Sequence, residues 1–64
     1  MTLVERGASI RAERQRQGLS QYRAAIKAGV HPNSVILAEK GAASPAIIER
    51  IASALGIELP EGQP

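Results

Sequence analysis

Few side chains in this chain can do acid–base or nucleophilic chemistry. Ser20, His31 and Glu39 supply a hydroxyl, an imidazole and a carboxylate, the residue types of a nucleophile, its base and an orienting group. Nothing reinforces that set. The 64 residues contain no Cys, no Asp and one His beside six Glu. A metal at His31 would lack companion ligands, and a thiolate or iron–sulfur site has none. Ser20 and His31 also stand where helical segments begin, and each has a simpler reading there as a cap or turn residue. These counts argue against an enzyme, and no cofactor or metal is expected.

Charge is more suggestive. Six Arg and two Lys oppose six Glu, a formal net charge of +2, with a pI near 9.7. So small a margin gives a weak overall field. Arg6, Arg11, Arg14 and Arg16 nevertheless fall in the first quarter of the chain. The positive charge is therefore local, permitting a nucleic-acid partner without demanding one. The simplest reading of these arginines is a solvated helix face, from which Arg11 or Arg16 could graze a nucleic-acid backbone. The lack of cysteine fits a reducing cytoplasm. No apolar run nears the roughly 18 residues of a membrane span, and the N-terminus has no signal-peptide pattern. A cytoplasmic location without a membrane partner is expected.

The elements that must position these residues are marked by glycine. Gly18, Gly29, Gly41 and Gly56 divide the chain into four segments of helical length, each ending at a residue suited to a left-handed exit. The first opens on the capping-box pattern Thr2-Leu3-Val4-Glu5, and Gly7, at a cost of about 1 kcal/mol relative to Ala, predicts a fraying first turn. Ser20 caps the second, whose inward residues are expected to be Ala24, Ala25 and Ala28, with Ile26 the larger member. Pro32 starts the third. Ser44-Pro45 starts the fourth, whose Ile47, Ile48, Ile51, Ala52 and Leu55 form a broad apolar stripe. Gly56 stops it, and Ile57 is placed to fold back onto the core. Strand signals are absent. With eleven Ala against fifteen Ile, Leu and Val, one Tyr and no Phe or Trp, the core should be thin. One domain is expected over residues 1–58, with a short tail at 59–64 marked by Pro60, Gly62 and Pro64.

Only Gly29-Val30-His31 separates the second and third segments, a short glycine-containing turn of the helix-turn-helix kind. Ala25 is small where the two helices cross, Gly29 can take a positive φ, and Val35 can anchor the second helix of the pair. Together with Gly18-Leu19-Ser20-Gln21, Glu39-Lys40-Gly41, Pro45 and Ile51-Ala52-x-Ala54-Leu55-Gly56-Ile57, these residues make the chain resemble the Cro/phage-repressor (XRE) helix-turn-helix family over roughly residues 7–57. The resemblance implies an all-α, compact four-helix domain, five helices at most, of the lambda-repressor-like kind. It implies a small transcriptional regulator that binds a double-stranded DNA operator through helices 21–28 and 32–40, as a repressor and weak or operator-assembled homodimer. It further implies a structural ion pair between Arg14 and Glu39, and a phosphate contact at Gln21 with Tyr22 beside it. Pro32, Asn33, Ile36 and Leu37 would form the base-reading face, and Lys40 with the Gly41–Ser44 backbone a second phosphate contact.

The sequence departs from that pattern in three places. Major-groove reading calls for donors and acceptors, and on the face expected to do it only Asn33 can make a bidentate base contact. Ile36 and Leu37 suit thymine methyls, or a protein. Ala42-Ala43 lacks the cation common in the family, which weakens phosphate neutralisation. A fifth, dimerising helix is replaced by Glu58-Leu59-Pro60-Glu61-Gly62-Gln63-Pro64. An alternative reading therefore stands beside the first: an XRE-like antiactivator that does not bind DNA, whose apolar third helix docks Ile36 and Leu37 on a partner protein such as a transcriptional activator.

Overall fold

Side-chain caps set where the chain turns helical. In the computed structural model, which describes residues 2–57, the helices are α1 (Leu3–Arg16), α2 (Gln21–Ala28), α3 (Pro32–Glu39) and α4 (Pro45–Leu55). At α1 the Thr2 hydroxyl accepts from the Glu5 N–H at 3.1 Å and the Glu5 carboxylate accepts from the Thr2 N–H at 2.7 Å, so two otherwise orphaned donors are satisfied reciprocally. Ser20 accepts from the Arg23 N–H and Ser44 from the Ile47 N–H. At α3 the acceptor is His31 Nδ1, 3.0 Å from the Asn33 nitrogen, which places the ring proton on Nε2. Proline follows the cap at α3 and α4, where its missing N–H costs nothing.

The exits are equally local. Gly18, Gly29, Gly41 and Gly56 all have positive φ. At Gly29, φ 70° lets the chain leave α2 and enter α3 within three residues. After α4, the Ile57 N–H reaches back to the Ala52 carbonyl at 2.8 Å, and the half-buried Ile57 packs against the core as the sequence suggested. The tail at 59–64, and with it the five-helix option, lies outside the described residues.

α1 and α2 each pack against both α3 and α4. Ile10, Val35, Ile48 and Ile51 are the large, fully buried side chains. Leu55, Ala24, Ala25, Ala28, Ala38 and Ala52 complete the core. Half of that core is alanine, so it is thin and depends on closely approaching helices.

Two expectations are corrected. Ile26 is not an inward residue; it is 59% exposed. At about 100° per residue, the stripe made by Ala24, Ala25 and Ala28 leaves Ile26 on the opposite side of α2. Gly7 does not interrupt α1, which runs unbroken from Leu3. A Cβ at Gly7 would meet the Ala38 carbonyl oxygen at 2.3 Å and the Glu39 carbonyl oxygen at 2.8 Å. The glycine is what brings α1 against the backbone of α3.

Candidate nucleic-acid interface

Arg14 and Glu39 organise the surface beside the helix-turn-helix. Arg14 Nε and one terminal nitrogen donate to the two Glu39 carboxylate oxygens at 2.5 and 3.1 Å. The other terminal nitrogen donates to the Leu19 carbonyl at 2.9 Å. The planar fork of guanidinium and carboxylate allows this two-point contact. One arginine on α1 thereby fixes both the end of α3 and the α1–α2 turn. Gln21, in the first turn of α2, donates its side-chain amide to the same carboxylate at 3.1 Å. Both charged side chains are largely buried, which makes the pair a structural tie between helices.

An open depression of about 530 Å³ lies over this cluster. Its floor includes Arg14, Glu39 and Gln21; Arg11 from α1, Lys40 after α3, and Ile36 are also on its lining. Arg11 and Lys40 are exposed, and among the described residues neither forms an ion pair. The N-terminus of α2, capped by Ser20, opens onto the same space. Its backbone N–H groups carry the positive end of the helix dipole. The depression therefore presents two unneutralised cations, a fixed amide and a helix N-terminus to whatever enters it, a composition that attracts anions.

The outward residues of α3 are less uniform than the sequence suggested. Asn33 is exposed and Pro32 half-buried in the first turn. Leu37 is 46% exposed, whereas Ile36 is half-buried along the depression. The expectation of two adjacent exposed aliphatics is thus corrected to one, because Ile36 leans toward the Gln21 and Lys40 side while Leu37 faces solvent. Val35 and Ala38 are fully buried. Tyr22, though next to Gln21, lies outside the depression on the outer face of α2 and is 61% exposed.

Sequence reasoning gave Arg11 only as a residue able to graze a nucleic-acid backbone, whereas here it lines the depression, and it missed Gln17 as a tie between helices. The Gln17 amide donates to Glu13 at 2.7 Å and to the Leu55 carbonyl at 2.8 Å, joining the ends of α1 and α4. Spacing alone gives Arg11 a signal, since it precedes Arg14 by three residues and shares its side of α1. Gln17 has no comparable local signal. Arg16 pairs with Glu13, and that guanidinium, aided by the Gln17 amide, holds the Glu13 carboxyl down at about 2. Glu5 is also lowered, chiefly by the Thr2 backbone N–H. Among the described residues, no group of three or more His, Cys, Asp or Glu could hold a metal, and no helix is long and apolar enough to cross a membrane.

Two short helices joined through a positive-φ glycine, the second anchored by Val35 and held at its end by a buried ion pair, define a helix-turn-helix domain. A helix-turn-helix family model matches residues 10–61. The chain belongs to that family, in its Cro/C1 (XRE) branch of DNA-binding regulators. No curated protein and no solved structure matches the chain.

Proposed function

We propose that this domain is a sequence-reading transcriptional repressor that lays α3 in the major groove of an operator and seats a DNA phosphate in the depression beside α2. The observation that carries the reading is the convergence of Arg11, Lys40 and the N-terminus of α2 on one open depression. In that arrangement Gln21 and the α2 backbone bind the phosphate, and Arg11 and Lys40 supply the charge. Asn33 reads an adenine through its amide, while Leu37 meets a thymine methyl. With one polar reader per domain the reading is sparse, and two copies meeting on a palindromic site supply the rest. The alternative, docking of α3 on a partner protein, draws support from Leu37. The half-buried position of Ile36 leaves that surface a single exposed aliphatic, which favours DNA. Fluorescence anisotropy with a duplex from upstream of the chain's own coding region tests the proposal. Affinity should exceed that for an unrelated duplex and fall steeply with salt; background binding to both at low salt overturns it.

A further inference from the structure

The outer face of α2 carries a second surface, separate from the depression. Tyr22 and Ile26 are 61% and 59% exposed and lie four residues apart, one turn above the other. Arg23 and Lys27, also exposed, repeat that spacing beside them. α2 contains no acidic residue, and among the described residues Arg23 and Lys27 form no ion pair. None of the four lines the depression. Single exposed aliphatics are ordinary on protein surfaces, but here an aromatic, an aliphatic and two unneutralised cations form two parallel rows on one short helix. Tyr and Arg are the residue types that dominate protein contacts. Ile26 gains nothing from a phosphate backbone, whereas it can be buried by a protein.

We infer that the outer face of α2 is a docking surface for an acidic amphipathic helix of a partner protein. Aliphatic side chains of the partner would cover Tyr22 and Ile26, and flanking carboxylates would pair with Arg23 and Lys27. A second copy of this chain fits poorly. Among its described residues Glu5, Glu13 and Glu39 are engaged with Thr2, Arg16 and Arg14, leaving only Glu49 to oppose two cations. A separate chain carrying several carboxylates along one helix face complements the two cations more fully. This inference stands apart from the DNA reading and uses a different face.

The test uses the ¹⁵N-labelled full chain and a synthetic amphipathic helical peptide with Leu along one face and Glu beside it. The peptide should shift the amides of Tyr22, Arg23, Ile26 and Lys27, and its affinity should fall with salt. Ile26→Ser and the double variant Arg23→Glu/Lys27→Glu should each weaken it at least tenfold. Both changes sit on exposed positions, and a circular-dichroism melt verifies that the variants fold. Operator affinity of Ile26→Ser, measured by anisotropy, should stay within twofold of the parent, which separates failure here from failure of the DNA proposal. Several results would overturn the inference: no shifts at these four residues, shifts centred on α3 or the depression, equal binding of a Lys-for-Glu peptide, unchanged binding by Ile26→Ser, or a DNA duplex that shifts the Ile26 and Lys27 amides, which lie beyond the first turn of α2.

Discussion

Gly7 on α1 stands so close to Ala38 on α3 that an added Cβ would lie 2.3 Å from the Ala38 carbonyl oxygen. The atoms it would meet are backbone, belonging to Ala38 and Glu39, and backbone at the end of a packed helix cannot swing aside as a flexible side chain can. Gly7→Ala should gain about 1 kcal/mol of helix propensity and lose more than that to overpacking, which typically costs 1–3 kcal/mol or more. The expected outcome is a net loss of stability, with a fall in Tm of about 4–8 °C for each kcal/mol lost in a domain of this size. Thermal melts followed by circular dichroism decide it; an unchanged or raised Tm would show that α1 and α3 can part at no cost.

Gly7 also marks where reading the sequence stops. The caps at Thr2, Ser20 and Ser44, the left-handed exit at Gly29 and the proline starts are properties of a few consecutive residues, so the four helices are legible in the sequence. The Arg14–Glu39 tie was legible through the family resemblance. The approach of Gly7 to Ala38 spans two helices distant in sequence and leaves no local mark; on local grounds the glycine looks like a defect. Ile26 failed for a different reason. The alanine stripe on α2 fixes its buried side, and Ile26 lies across from it, so helix angle overrides the hydrophobicity of that one side chain. Ile36 needed the tertiary structure, because its half-burial depends on the depression formed by α1 and α2.

Glu39 should be far more sensitive to substitution than its exposed counterpart Glu49. Glu39→Ala removes the carboxylate that engages Arg14 and Gln21 and leaves a largely buried guanidinium. Breaking one side of a buried pair costs about 3–5 kcal/mol, comparable to the roughly 3–5 kcal/mol that the core of a domain this small supplies. The variant should be substantially unfolded at 25 °C. Glu49→Ala should stay within about 0.5 kcal/mol of the parent. Urea titrations of both, read by far-UV circular dichroism, make the comparison; similar midpoints would reduce the Arg14–Glu39 pair to an incidental contact.

Acid should weaken the fold through the end of α1. Glu13 sits at about 2 in the folded chain against an ordinary value of 4.5, held down first by Arg16 and then by Gln17. A carboxylate lowered by folding stabilises above its unfolded value, and that contribution disappears as pH falls from about 4.5 toward 2. Glu5, lowered by the Thr2 cap, acts in the same direction. The group is solvent-facing, so the effect should be modest and shrink with added salt. Glu13→Gln should flatten the fall in Tm between pH 5 and pH 2 relative to the parent, and an identical slope in the two proteins would place the acid sensitivity elsewhere.

Asn33, Arg11 and Lys40 separate base reading from phosphate binding, because the proposed roles give different signatures in one experiment. A phosphate contact releases counterions whatever the sequence. Arg11→Ala and Lys40→Ala should therefore weaken operator and unrelated duplexes alike, each lowering the slope of log affinity against log salt by about 1. Both side chains are exposed, so neither change should disturb folding. Asn33→Ala should leave that slope intact and cost about 1–3 kcal/mol on the operator alone, compressing the ratio of specific to non-specific affinity. The Asn33 backbone N–H still reaches His31 Nδ1 after the substitution, so α3 keeps its cap and the loss is attributable to the amide. If Asn33→Ala weakens all duplexes equally, or Lys40→Ala leaves the slope untouched, the side chain concerned does not do the job its position on the surface suggests.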